Sequence, residues 1–373
     1  MPLWGETKPV PSGIGLIKGK GMTTLGLTKK KQLLPIDIDS VASLILASQK
    51  ESGEIPWCIG EKTDPWDHVE SAMGLSISGY FREAQKAFEW MAKMQLDDGS
   101  WYVSYKDGIP DDTTRDTNMS SYIAVGVFHH YLITGDMRFL KKMWRTVASA
   151  INFALSLQAP GGQIYWAVSP EGNVDTMALL TGSSSVYMSI KCALAIARQL
   201  GNHMPSWRQG LIQLEHAILN KPDCFDMTKS RYSMDWFYPI LSGALIGEKA
   251  KRRIEAFWEK FVIDGQGARC VSDQPWVTVA ETCELSLALS AMGEVDRAET
   301  LFSWIQNKTN EDGSYWCGFT CPDMTIWPED KSTWTNAVVL IAADAIYHLT
   351  PASRIFNHRY WRGRKVSPNP DIS

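Results

Sequence analysis

Phe88-Glu89-Trp90, followed after seven residues by Asp98-Gly99-Ser100-Trp101, decides how this chain folds, because the pattern occurs twice. Phe302-Ser303-Trp304 is followed after the same seven residues by Asp312-Gly313-Ser314-Tyr315-Trp316, at an offset of 214 residues. That offset is four steps of 53.5 residues. A weaker copy runs from Phe153 through Gln158 and Gly161-Gly162 to Tyr165-Trp166. Self-similarity at a period near 50 residues is the mark of stacked structural units that cannot bury their apolar faces alone.

Working outward from the repeat, helical faces alternate with breakers. Ala84, Ala87, Phe88, Met91 and Met94 follow helical spacing, as do Leu140, Trp144, Val147, Ile151 and Leu155. Asp-Asp-Gly-Ser, Pro-Gly-Gly, Asp-Gly-Gln-Gly and Glu-Asp-Gly-Ser interrupt them. No sustained two-residue alternation marks a sheet. The pattern predicts twelve helices, the first over Asp39–Gln49 and the last over Trp334–Leu349. They fall into two sets. One begins near Trp66, Asn118, Leu180, Asp235, Ala280 and Trp334. The other begins near Asp39, Arg82, Asp136, Met204, Glu248 and Asp296 and is richer in charge. The unit is therefore a helical hairpin. Six of them predict an all-α (α/α)6 toroid with the less charged helices inside, rather than an open solenoid. The first helix stands alone, so the sixth inner helix is left to pair with it. Residues 1–31, ending in Lys29-Lys30-Lys31, read as a basic arm, 32–352 as the toroid, and 353–373 as a basic, Pro-rich tail.

Composition narrows the function. A net charge of −4 over 373 residues argues against nucleic acid or an acidic membrane surface as partner. No run is long and apolar enough for a membrane span. The seven cysteines are odd in number and lack a disulfide-framework spacing, and the N-terminal stretch has no apolar core of a signal peptide; together these imply a cytoplasmic location. Cys317-x3-Cys321 has no second pair and His129-His130 falls inside a helix, so no metal and no cofactor are expected, and no Gly-rich phosphate loop is present. Oligomeric state is not encoded in any pattern of this kind.

In a ring of this type all inner helices run in one direction, and their N-termini converge on one mouth. Acids placed there are Asp67, Asp116, Asp235 and Glu281, the candidate catalytic residues. Asp64, before Pro65, reads first as a helix cap. Around the acids, Trp57, Trp66, Trp101, Asn118, Trp166, Tyr232, Trp236, Trp276, Trp316, Trp327 and Trp334 are candidate substrate-binding residues. Nine of the 16 tryptophans gather at this mouth, and flat aromatic faces suit sugar rings. Trp90, Trp144, Trp207, Trp258 and Trp304 lie on outer helices as packing residues.

Tyr131-Leu132-Ile133-Thr134-Gly135-Asp136, followed by Phe139-Leu140 and Trp144, resembles a hairpin junction of the six-hairpin glycosidases. Gln95-Leu96-Asp97-Asp98-Gly99-Ser100-Trp101 resembles the Gln-and-Trp repeat of the terpenoid cyclase and protein prenyltransferase toroids. The resemblance covers roughly residues 38–350. The cyclase likeness implies an Asp-x-Asp-Asp acid, of which Asp37-Ile38-Asp39-Ser40 is only a partial match on the wrong helix. The prenyltransferase likeness implies a zinc site, for which Cys283 beside Glu284 is the best start. The glycosidase likeness implies two carboxylates across a sugar-binding site. The resulting expectation is a glycoside hydrolase acting on a saccharide or glycoconjugate. Asp235 or Glu281 is the expected general acid, with Asp67 or Asp116 as base or nucleophile. The alternatives are isoprenoid chemistry, sugar epimerase or lyase chemistry, and a non-catalytic glycan-binding toroid.

Overall fold

The computed structural model describes residues 34–362. The basic arm expected over residues 1–31 lies outside them.

The helices are α1 (Ile38–Ser48), α2 (Pro65–Ser78), α3 (Phe81–Met94), α4 (Thr117–Ser121), α5 (Ile123–Thr134), α6 (Met137–Ser156), α7 (Leu180–Gln199), α8 (Pro205–Asn220), α9 (Ser233–Leu241), α10 (Glu248–Phe261), α11 (Val279–Met292), α12 (Val295–Ser303), α13 (Thr333–Tyr347) and α14 (His358–Arg362). The inner ring runs α2, α5, α7, α9, α11, α13 and back to α2, each packing on the next. Outside it, α3, α6, α8, α10 and α12 each pack on the inner helix that precedes them, and α1 packs on α13. The ring is closed, as the lone first helix predicted.

Burial divides the two sets as their composition does. In α2, α11 and α13 nearly every side chain is buried, because these helices meet neighbours on all sides. In α3 only Ala84, Ala87, Phe88, Trp90 and Met91 are buried, along one stripe. The second inner helix is interrupted at Tyr122 between α4 and α5, and α9 is short, with Pro239 inside it.

The repeat has a physical meaning. Gln95 ends α3 and donates its amide N–H groups to the Gly99 and Thr146 carbonyls, both at 2.9 Å. Gln158, just past the end of α6, does the same to Gly162 and Gly210, both at 2.9 Å. Gln49 reaches Gly53 at 3.2 Å and Glu83 at 2.9 Å. Each glutamine therefore fastens its own loop to the next outer helix, with each such bond contributing about 1 kcal/mol. Asp98 Oδ1 accepts from the Ser100 N–H at 3.0 Å, and Asp312 Oδ1 from the Ser314 N–H at 3.1 Å, so the Asp-Gly-Ser turn is the same in both copies. Gly99 sits at φ +93°, where its bare Cα lets the loop touch the Ser149 backbone of α6.

The loops entering the inner helices carry short strands: β1 (Ser104–Lys106), β2 (Ile109–Asp112), β3 (Arg115–Asp116), β4 (Ala167–Val168), β5 (Val174–Asp175), β6 (Val262–Ile263), β7 (Gly267–Arg269), β8 (Trp276–Thr278) and β9 (Gly318–Thr320). They pair antiparallel as β1-β2, β3-β4-β5 and β6-β7-β8-β9. The pattern that excluded a sheet missed them, because strands of two to four residues are too short to show alternation. They lace the loops into a collar. Thr63 bridges Tyr105, Asp116 pairs with Ala167, Asp226 N–H donates to Ala178 O at 2.9 Å, Tyr232 bridges Val271, and Val277 pairs with Phe319. Thr333 N–H donates to Trp57 O at 2.8 Å and closes the circle.

The opposite end of the ring is plugged by residues 353–362 of the tail expected over 353–373; the rest of that tail lies outside the described residues. Ile355, Phe356 and His358 are buried, and His358 Nε2 lies 2.7 Å from Ile240 O. The Trp361 ring lies 6.2 Å from that of Phe128, with Lys191 Nζ 4.6 Å from its centroid. The basic and proline-rich composition had concealed these apolar anchors.

Candidate active site

A cavity of about 510 Å³ opens inside the collar at the N-terminal ends of α2, α4, α7, α9 and α13. That size suits a small-molecule or sugar site. Asp64, Asp67 and Asp116 contribute its acids, and Trp57, Trp66, Trp166 and Trp334 its aromatic faces. Asn118, Lys62 and Thr181 supply further polar groups, and Met119, Ile164, Leu179 and Met234 an apolar stretch of wall.

Asp64 caps α2, its Oδ1 accepting from the Asp67 N–H at 2.9 Å, so the cap reading holds. It also lines the cavity, which the cap reading alone did not foresee. Burial raises the Asp64 carboxyl above the ordinary range. Burial pushes Asp67 further up, and the neighbouring charges of Asp64 and Glu70 add to it. Asp67 thus holds its proton where an exposed aspartate would have lost it. Asp116 caps α4 through the Met119 N–H at 2.8 Å, and burial pushes it up to about 6.

Asp67, Asp235 and Glu281 occupy equivalent places, each the third residue of an inner helix. Their surroundings differ. Asp235 Oδ1 accepts from the Thr181 N–H and Oγ1, both at 3.3 Å, and so caps α7, whose own N-cap residue makes no side-chain bond. Arg253 holds the Asp235 carbonyl at 2.9 Å. Neither Asp235 nor Glu281 is among the residues that line the cavity. Glu281 is buried, and its Oε2 has no hydrogen-bond partner, which is uncommon for a buried carboxyl oxygen.

Below the mouth lie two acids that the sequence reading passed over as site residues. Glu70 stands one turn after Asp67, and Glu284 one turn after Glu281. Glu70 Oε1 accepts from the Tyr122 hydroxyl and Oε2 from the Trp334 indole N–H, both at 2.7 Å. Tyr122 in turn stacks on Trp66 with ring centroids 3.8 Å apart. Burial raises Glu70 to about 7, and raises Glu284 well above its ordinary value, with Glu70 and Glu281 adding to it. The spacing Asp64, Asp67, Glu70 puts all three on one helix face, and that was the signal available in the sequence.

Several expected contact residues are elsewhere. Trp101 is buried beneath the mouth, donating its indole N–H to Met91 O at 2.9 Å, and its role is packing. Trp236 is likewise buried, bonded to Arg253 O at 2.8 Å and stacked on Phe261. Trp316 packs edge-on against Phe319, away from the cavity. Trp276 and Trp327 form an edge-to-face pair with centroids 4.9 Å apart on the four-stranded sheet, and Tyr232 is exposed on its loop. His129 and His130 are buried in α5, which lowers His129 to about 3 and His130 to about 4, so both sit neutral in the core.

A closed (α/α)6 ring with clustered acids and aromatic faces at the inner-helix N-termini suits an enzyme acting on sugars, and the comparisons give its class. The chain belongs to the family of the MMP endo-(1,4)-3-O-methyl-alpha-D-mannosidase of Mycolicibacterium hassiacum, with which it is 48% identical over 324 residues, 87% of this chain and 90% of that protein. It also matches an uncharacterized glycosyl hydrolase of Methanocaldococcus jannaschii, 24% identical over 201 residues, 52% of this chain and 32% of that one. No protein-family model matches. Among solved structures it superposes on a glycosidase variant in complex with glucose, with a TM-score of 0.64 and 13% identity, covering 89% of this chain and 100% of that one. A D-mannose isomerase superposes with a TM-score of 0.65 at 11% identity, covering 84% and 95%. These two share the fold. The enzyme is a glycosidase, and its substrate is a saccharide.

Proposed function

We propose that this enzyme cleaves internal bonds of a (1,4)-linked chain of 3-O-methyl-α-D-mannose units, with Asp67 as general acid and Glu281 as the opposing carboxylate. The observation that carries this reading is the composition of the cavity wall, which combines the acids Asp64, Asp67 and Asp116 with the apolar Met119, Ile164, Leu179 and Met234. An O-methyl group removes a hydroxyl donor and adds an apolar surface, so such a wall favours it over a free hydroxyl. The substrate for which the Mycolicibacterium hassiacum relative is named supports the same choice.

Asp67 suits the acid role because burial and its neighbours keep it protonated, at the mouth, where a glycosidic oxygen would enter. This reverses the role order expected from sequence. Glu281 suits the partner role because Asp235 is occupied as a cap, whereas one Glu281 oxygen is unengaged. Glu281 then either attacks the anomeric carbon or draws a proton from the attacking water. Trp57, Trp66, Trp166 and Trp334 stack the reacting sugars, and Asn118 bonds their hydroxyls. Trp327, 57% exposed beside Trp276, serves as an outer platform for a chain longer than the cavity. The seven cysteines are all free thiols, which supports a reducing, cytoplasmic site of action.

The test is hydrolysis of a defined 3-O-methylmannose oligosaccharide by wild type, Asp67→Asn, Glu281→Gln and Asp116→Asn. Loss of at least about 100-fold in the first two, with Asp116→Asn milder, is the expected result. An inactive Asp116→Asn beside an active Glu281→Gln would move the partner role to Asp116, which lines the cavity where Glu281 does not.

A further inference from the structure

Glu70 touches neither the cavity nor solvent, yet it is bonded to the parts of the site that must not move. Trp334 has only a donor, its indole N–H, and Glu70 Oε2 accepts it at 2.7 Å. Tyr122 donates to the other oxygen at 2.7 Å and lies flat on Trp66 at 3.8 Å. One carboxyl on α2 therefore fixes two aromatic faces of the cavity, one on α13 directly and one on its own helix through the ring at the α4–α5 break. Asp67 stands one turn before Glu70 and feels its charge.

We propose that Glu70 is a positioning residue of the glycosidase site, holding Trp334 and Tyr122, and through Tyr122 the Trp66 face, in place. This rests on the glycosidase reading of the mouth but not on the identity of the sugar. The chemistry of the three partners explains why a carboxyl is needed. Trp334 requires an acceptor at all times, which either form of Glu70 provides at Oε2. Tyr122 can donate to the charged form and, by rotating its hydroxyl, accept from the protonated one. A glutamine can keep both contacts only in the pattern of the protonated acid, its oxygen to Trp334 and an N–H to Tyr122, and it never carries the charge. The break in the second inner helix has a use in this scheme, because it brings Tyr122 under Trp66.

The groups facing Glu70 are Asp64, Trp66 and Asp67 at the start of its own helix, Tyr122 at the break, Cys192 on α7 beside Tyr122, Tyr238 on α9, Glu284 on α11 and Trp334 on α13. Lys62, on the loop before α2, is the nearest cation to the Asp64–Asp67 pair. Around Asp67, burial raises Glu70 to about 7 and Asp116, at the start of α4, to about 6, and raises Glu284 well above its ordinary value; of these, Glu70 is the one whose charge acts directly on Asp67.

The experiment follows the Trp334 indole N–H resonance in ¹⁵N-labelled protein from about pH 5 to about pH 9, assigned with Trp334→Phe, alongside kcat/KM on the methylated oligosaccharide. In wild type the resonance should titrate; in Glu70→Gln it should not. Glu70→Gln should also move the alkaline limb of kcat/KM down by about half a pH unit or more, since removing a negative neighbour lowers the Asp67 pKa, and kcat should fall at least about tenfold with a smaller change in KM. Tyr122→Phe removes a bond that stabilises the charged Glu70, so its Trp334 titration should shift upward; this variant keeps the proposal testable should Glu70→Gln fold poorly. A resonance that stays flat in wild type, or a Glu70→Gln variant with both kcat and the alkaline limb unmoved, overturns the proposal. A titrating resonance in an enzyme that leaves the oligosaccharide intact would retain Glu70 as the holder of Trp334 and remove the substrate assigned above.

Discussion

Replacing Gly99 with alanine tests the physical meaning of the repeat. Gly99 lies at φ +93°, and an added methyl would sit 3.0 Å from Ser149 Cβ and closer still to the Ser149 carbonyl of α6. Gly79, the C-cap of α2, has the same φ of +93° but nothing within 4 Å of the added methyl. At both sites alanine incurs the left-handed backbone cost, about 1 kcal/mol. At Gly99 it must also push apart two backbone segments that Gln95 holds together, and overpacking of that kind costs about 1–3 kcal/mol more. Gly99→Ala should therefore lose about 3 kcal/mol against about 1 kcal/mol for Gly79→Ala. Urea unfolding followed by circular dichroism reads both. Equal losses in the two variants would show that the loop does not lean on α6, and that the repeated glycine serves the turn alone.

Other outcomes follow from the same geometry. Gln95→Ala removes two bonds to backbone carbonyls and should cost about 2 kcal/mol, measured by the same unfolding assay. Asp235→Asn should lower stability by about 1 kcal/mol through the weakened cap on α7 while leaving kcat within a few-fold of wild type, in contrast to Asp67→Asn. The alkaline limb of kcat/KM should lie above the ordinary carboxylate range, because burial, Asp64 and Glu70 raise Asp67; Asp64→Asn should lower it, since the acid then loses its proton earlier as pH rises. Trp327→Ala should weaken KM for long chains and spare short ones, as steady-state kinetics on a chain-length series would reveal.

The ring was legible because it rests on local signals repeated six times. Inner helices expected near Trp66, Leu180, Ala280 and Trp334 begin at Pro65, Leu180, Val279 and Thr333, where a proline, a breaker or a cap interrupts the apolar period. The collar strands were not legible, because their partners lie in neighbouring repeats and each strand is too short to alternate. The mouth was read in part. Helix starts reveal which residues approach one end of the ring, but not which way a side chain turns there. Trp66 and Trp334 face the cavity, whereas Trp101 and Trp236 turn inward to carbonyls of outer helices. Asp235 and Glu281 looked interchangeable because they share a helical position, and only the threonine opposite Asp235 separates them. Glu70 escaped notice as a buried acid in an apolar helix, although its spacing from Asp64 and Asp67 places it on their face.

Mass spectrometry of a 3-O-methylmannose oligosaccharide incubated with wild type and with Asp67→Asn tests the glycosidase mechanism most directly. Wild type should release mid-length fragments by internal cleavage, and Asp67→Asn should release none over the same period. An oligosaccharide left intact by wild type, or fragments formed equally fast by Asp67→Asn, would contradict it.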